Sequence, residues 1–133
     1  MEPALAIFAP LIGHCFAAEI APDVIDRHCF ADVYKGGHVR DVHVVTSKGK
    51  QVYAGESVYS FNGKDIEFVY FNSMGGVGHG IAKTNGEGFS FEMTMKAKPE
   101  DEAKPFSAAW SIGRNFYEVR NPGKPPLRFT LVP

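Results

Sequence analysis

Gly88-Phe-Ser-Phe-Glu-Met-Thr-Met-Lys96 alternates without a break. Phe89, Phe91, Met93 and Met95 fall on one side of an extended chain, and Ser90, Glu92, Thr94 and Lys96 on the other. This is a strand with one dry face and one wet face. Asp65 to Asn72 repeats the pattern, with Ile66, Phe68 and Tyr70 opposed to Asp65 and Glu67, and Leu127, Phe129 and Leu131 carry it near the C-terminus. Outside the first dozen positions, no window longer than about ten residues carries a helical stripe.

Working outward, the prolines sit at 3, 10, 22, 99, 105, 122, 125, 126 and 133, so none falls between Asp23 and Lys98. Proline cannot donate to a ladder, and its absence from this stretch fits an uninterrupted meander of paired strands. Turn signals punctuate the meander instead. Asn62-Gly63 favours a tight hairpin, and Ala21-Pro22-Asp23, Lys35-Gly36-Gly37, Lys48-Gly49 and Asn85-Gly86 supply others. Strands are expected near 12–20, 24–33, 38–46, 51–61, 64–72, 77–84, 88–97, 106–112, 115–121 and 127–132. Short strands at roughly ten-residue spacing point to an all-β barrel or sandwich. Sequential hairpins without a long crossover favour a single antiparallel up-and-down barrel of about 8–10 strands.

Composition narrows the function classes. The 133 residues carry 14 basic and 15 acidic side chains, a net charge of −1, and 44% hydrophobic residues. That describes a soluble globular chain, read as one domain over 1–133. With no basic excess, binding nucleic acid by phosphate neutralisation is excluded. Ala4 to Gly13 is apolar, but no Lys or Arg precedes Arg27, so a secretory leader lacks its basic region. The segment reads as a short N-terminal helix or turn that plugs something. No run approaches the ~20 apolar residues of a membrane span. The expected address is the cytoplasm, or the periplasm if a leader has been removed.

Phe8-Ala-Pro-Leu-Ile-Gly13-His-Cys-Phe16 resembles the first-strand motif of calycin-type barrels, the lipocalin and fatty-acid-binding group, where a glycine precedes an aromatic residue, usually Trp. Gly36, Val39-Arg40, His43, Gly55-Glu56-Ser57 and Tyr70-Phe71 also look like small bacterial lipocalin-like proteins of unassigned function. The resemblance spans roughly residues 8–84. It implies a barrel that holds a ligand, and by itself no reaction.

Hairpin geometry predicts which side chains face inward. A two-residue turn at Asn62-Gly63 sets Tyr59 opposite Ile66 and Ser57 opposite Phe68. A tight turn at Lys48-Gly49 sets Val44 opposite Tyr53 and Arg40 opposite Ser57. One face then carries His38, Arg40, Val42, Val44, Tyr53, Ser57, Tyr59, Phe68 and Tyr70, and its aromatics make it the interior; Asp41 and His43 go to the outside. Symmetry about Pro22 sets Phe16 opposite His28, Ala18 opposite Asp26 and Cys15 opposite Cys29. With Phe16 inward, as the resemblance implies, His14, Asp26, His28 and Phe30 follow.

The expected ligand is therefore a small, mostly apolar or amphipathic molecule. The lining set is Phe16, His28, Arg40, Tyr53, Tyr59, Phe68, Tyr70, Phe91 and Met93, with Phe89 beside it. Arg40 and the tyrosines suit a carboxylate head group. The competing structural reading is an Arg40–Asp26 ion pair in a filled core, which would make the chain a packed interaction module. A second alternative is an isomerase or hydrolase using Asp26 and His28 as an acid–base pair. The five histidines show no zinc-type spacing, so neither a metal nor a cofactor is expected. Gly75-Gly-Val-Gly-His-Gly80 lacks the dinucleotide spacing and a following helix, and reads as a turn and a bent strand. Cys15 and Cys29 can form a disulfide across the first hairpin, and a reducing cytoplasm would leave them as small apolar side chains.

Overall fold

The computed structural model describes residues 1–133. A 3-10 helix, η1 (Pro3–Leu11), precedes ten strands: β1 (Cys15–Ala21), β2 (Val24–Val33), β3 (His38–Ser47), β4 (Lys50–Phe61), β5 (Ile66–Asn72), β6 (Val77–Thr84), β7 (Gly88–Lys96), β8 (Lys104–Ile112), β9 (Phe116–Arg120) and β10 (Leu127–Leu131). Each strand pairs antiparallel with its neighbour in sequence, and β1 pairs with β10, so the barrel is closed. Closure leaves no unpaired edge. The strands lie close to their expected positions. The largest displacement is at β1, which begins at Cys15 rather than near residue 12.

Two registers differ from expectation, with different consequences. At Asn62 the turn is wider than two residues. The Asn62 side chain accepts from the backbone N–H groups of Lys64 and Asp65, at 2.9 and 2.8 Å, and Phe61 opposite Ile66 is the last pair. Tyr59 therefore faces Phe68 rather than Ile66. A slip of two residues keeps every side chain on its expected face.

The β3–β4 hairpin behaves otherwise. Thr46 faces Gln51 as a tight turn requires, but the register shifts by one residue between Val45 and Thr46, so Val45 faces Tyr53 and Arg40 faces Val58. Val52 is the extra residue and is exposed. One extra residue in one strand inverts the partner's faces beyond it. The inward assignment of His38, Arg40, Val42 and Val44 is thus corrected: Val39, Asp41, His43 and Val45 point inward. Arg40 lies on the outer surface, where its guanidinium donates to Glu56 at 2.9 Å. Asp41, assigned to the outside, is only 4% exposed.

The first hairpin pairs as expected, with Phe16 opposite His28 and Cys15 opposite Cys29. The two cysteines are joined by a disulfide on the outer side of this hairpin. His14 precedes β1 and is exposed, which corrects its inward placement.

One end of the barrel is sealed by η1. Residues three apart align on one edge of a 3-10 helix, and Leu5, Phe8 and Leu11, at that spacing, are all fully buried. The Phe8 ring packs against Tyr59 and Phe89, with centroids 4.6 and 5.2 Å apart. Glu2 anchors the segment, its N–H donating to the Gly36 carbonyl at 2.7 Å. No helix is long and apolar enough to cross a membrane. Phe8→Ala should lower unfolding free energy by roughly 3–5 kcal/mol, whereas Phe71→Ala, on the outer wall, should change it by less than about 0.5 kcal/mol. Urea denaturation of the two variants beside wild type checks both.

Candidate functional site

Two Asp-x-His triplets build the site. Asp26-Arg27-His28 lies on β2 and Asp41-Val42-His43 on β3, and the pairing sets His28 directly opposite His43. Antiparallel strands then place each aspartate diagonal to the histidine of the other strand, within side-chain reach. The His28 Nδ1–H donates to both Asp41 oxygens, at 2.8 and 3.0 Å, and the His43 Nδ1–H donates to Asp26 at 3.0 Å. The two rings stack at 4.5 Å with planes 20° apart.

The local symmetry breaks at the remaining ring nitrogens. His28 Nε2–H donates to the other Asp26 oxygen at 3.1 Å. Both His28 nitrogens face carboxylates, which can only accept, so the ring carries both protons and a positive charge. Burial opposes that charge, but the Asp41 carboxylate and the hydrogen bonds to Asp26 and Asp41 outweigh it and raise the His28 pKa to about 10. Asp26 shows the counterpart. Burial favours its neutral form, but hydrogen bonds from His28 and His43 hold its pKa well below the usual carboxylate range.

His43 Nε2 turns away, to the Tyr70 hydroxyl at 2.8 Å, and Tyr70 is bonded in turn to the Tyr53 hydroxyl at 2.6 Å. Strand β4 runs between His43 on β3 and Tyr70 on β5, and the contact is made across Gly55. A Cβ on Gly55 would overlap the Tyr70 hydroxyl and stand 2.7 Å from His43 Nε2. Burial, then the bond to Tyr53, raises the Tyr70 pKa and keeps it a neutral hydroxyl.

This chain of side chains lines one wall of a cavity of about 330 Å³. The cavity lies toward the end remote from η1, among the ends of β4, β5, β7, β8, β9 and β10. A stack of three rings, against which the His28 ring packs edge-on, forms the adjoining wall. Trp110 and Tyr117 lie 4.5 Å apart at 10°, and Tyr117 and Phe129 lie 4.8 Å apart at 7°. Phe68, Phe91, Met93, Met95 and Phe106 close the sides. Tyr117 is fully buried, yet its hydroxyl has no partner within the protein; Asn121 Oδ1 is likewise unpartnered, and both residues line the cavity. Burying an unsatisfied polar atom costs about 1–3 kcal/mol.

Of the residues expected from sequence, His28, Tyr53, Tyr59, Phe68, Tyr70, Phe91 and Met93 line the cavity together with Asp26. Phe16 is buried in the core, against Phe30 and Tyr117, and does not reach it. Arg40 is outside the barrel. Asp41, His43, Trp110 and Tyr117 are lining residues that sequence reasoning does not assign to the site. For Asp41 and His43 a signal exists: the second Asp-x-His triplet repeats the first, one strand on.

Asp26, His28 and His43 also bring one potential metal-ligand atom each within 4.8 Å of one another. Their geometry favours hydrogen bonding. Stacked rings send their in-plane nitrogens side by side, each to its own Asp26 oxygen, whereas an ion needs them to converge at roughly 2.0–2.1 Å.

The raised His28 pKa sets a pH signature. Its contribution to stability should be whole below its unfolded value of 6.5 and be lost as pH rises through the folded value of about 10. Stability measured from pH 6 to 10 should therefore fall more steeply in wild type than in His28→Gln. Gly55→Ala should cost roughly 1–3 kcal/mol through overpacking and, by ¹⁵N NMR, should remove the hydrogen-bond signature of His43 Nε2. No family model matches this chain, and no curated protein does.

Proposed function

We propose that the barrel binds a small, mostly apolar and flat molecule in the cavity at its open end. The observation that carries this reading is an aromatic-walled space of about 330 Å³ bordered on one side by the hydrogen-bonded run from His43 through Tyr70 to Tyr53. Space of that size lies at the lower end of small-molecule pockets. A space of that size inside the barrel favours binding over a packed interaction module. A closed antiparallel barrel with a plugged end fits the calycin-type resemblance, within which this reading belongs.

The head group is better taken as uncharged than as carboxylate. Arg40 is outside, and the one cation held by geometry, His28, is committed to Asp26 and Asp41. An added anion would meet two carboxylates. The same commitment weighs against the acid–base alternative in which His28 takes a substrate proton, because neither ring nitrogen has a free lone pair. The Cys15–Cys29 bond supports the periplasmic or another oxidising address over the cytoplasmic one.

N-phenyl-1-naphthylamine, an uncharged fluorescent aromatic, tests the reading. Wild type should enhance its emission saturably, with energy transfer from Trp110, the one tryptophan of the chain. Ala108→Phe, which projects a ring into the cavity, should weaken binding at least tenfold while the far-ultraviolet spectrum stays unchanged. Arg40→Met should bind as wild type does. Absence of saturable binding by wild type would refute the proposal.

A further inference from the structure

Every strand of the barrel has a neighbour on each side, but two seams are short, and both flank the β9–β10 hairpin. Strand β9 pairs with β8 only from Ala109 to Ile112, so residues 104–108 of β8 run on without a partner on that side. Strand β10 pairs with β1 only at Phe16–Leu131 and Ala17–Thr130, and β1 then bulges between Glu19 and Ala21. A bulge bends its strand and ends the local pairing. The hairpin is thus held at its base and unheld at its tip, the turn formed by residues 121–126.

That tip is one of five turns around the open end, and the other four are tied to their surroundings. The Lys48 N–H, in the β3–β4 turn, donates to the Asp23 carbonyl in the β1–β2 turn at 3.0 Å. The Ser73 N–H, in the β5–β6 turn, donates to the Ala54 carbonyl on β4 at 2.8 Å. The Asn72 side-chain amide donates to the Ala97 carbonyl, at the start of the β7–β8 connection, at 3.0 Å. The 121–126 turn has a single backbone hydrogen bond, from the Lys124 N–H to the Asn121 carbonyl, and it is internal. Three of its six residues, Pro122, Pro125 and Pro126, have no N–H to offer a neighbour, and their rings stiffen the tip within itself.

We propose that the 121–126 turn is a flap, and that the ligand enters the cavity sideways beneath it, between β8 and β9, rather than down the barrel axis. Asn121 and Leu127, at the two ends of the flap, line the cavity. On the outer side of the same seam lies a trough of about 460 Å³, lined by Ser107, Ala109, Arg120, Asn121 and Pro122. Asn121 borders both spaces, and no ladder pair crosses the seam at its level. Lifting the flap therefore joins the trough to the cavity without breaking the sheet. Segments with few hydrogen bonds to their surroundings are the ones that open at low free energy. The inference rests on the proposed binding cavity and adds its entrance.

Continuing the Ala109–Arg120 register sets Ser107 opposite Pro122, so the double variant Ser107→Cys/Pro122→Cys can be bridged with bis-maleimidoethane. The two native cysteines are already joined and do not react. Stopped flow with N-phenyl-1-naphthylamine compares the bridged protein with the same variant capped by N-ethylmaleimide. Bridging should slow association and dissociation alike by about tenfold and leave Kd within about threefold, as a locked gate does. A bridge in Asp23→Cys/Lys48→Cys, across turns that are already tied, should change neither rate. In wild type without ligand, relaxation-dispersion NMR should show exchange at Gly123, Lys124 and Leu127 and none at Gly49 or Gly75. Equal rates in the bridged and capped proteins, slowing by the bridge between positions 23 and 48, or flap amides without exchange would overturn the flap while leaving a binding cavity. If wild type binds no probe at all, the proposed function and its entrance fall together.

Discussion

A carboxylate cannot be buried without a counter-charge, and Asp41 is buried. Removing a carboxylate from water costs several kcal/mol, and Asp41 recovers this only through its two-oxygen contact with His28. His28 in turn is held charged by Asp41 and by Asp26, which sits at its other nitrogen. This three-membered clamp fixes the register of β2 on β3. A slip of one residue would turn Asp41 and His43 to the outside while His28 stayed within, stranding its charge. Once that register is fixed, His43 faces Gly55, and Gly55 is the gap through which His43 meets Tyr70. The polar wall of the cavity follows from one ion-paired imidazole.

Much of the fold is legible in the amino-acid sequence. Strict alternation, the proline-free centre and the glycine turns locate the ten strands, because side-chain period and turn chemistry are local properties. The Leu5, Phe8 and Leu11 plug is readable only as an apolar stretch, since its three-residue spacing acquires meaning once there is an open barrel end to fill. The face of β3 comes out inverted for a specific reason. The Val52 bulge has no mark in sequence, as a valine is as suitable for a paired strand as for an extra residue. The pairing read from Lys48-Gly49 holds for Thr46 and Gln51 and fails one step later.

The repeated Asp-x-His carries the information that the turn lacks. Two such triplets on neighbouring strands satisfy one another only if both face the same way, and the first hairpin, with Phe16 inward as the resemblance implies, puts Asp26 and His28 inward. Charge balance is thus better information about register than turn length. The Trp110, Tyr117 and Phe129 stack is hidden differently. It joins three strands by contacts between residues 7 and 12 apart in the chain, Trp110 with Tyr117 and Tyr117 with Phe129, and no local pattern announces which rings will lie parallel.

An even number of antiparallel strands brings the chain back to the side on which it started. Leu131 lies beside Phe16, and the Val132 N–H donates to the Cys15 carbonyl at 2.8 Å, so residues 1 and 133 both emerge at the sealed end. Anything attached to either terminus, a tag or a surface linker, therefore projects from the floor and leaves the mouth unobstructed. A barrel immobilised through its tail stands upright, its opening directed into solution.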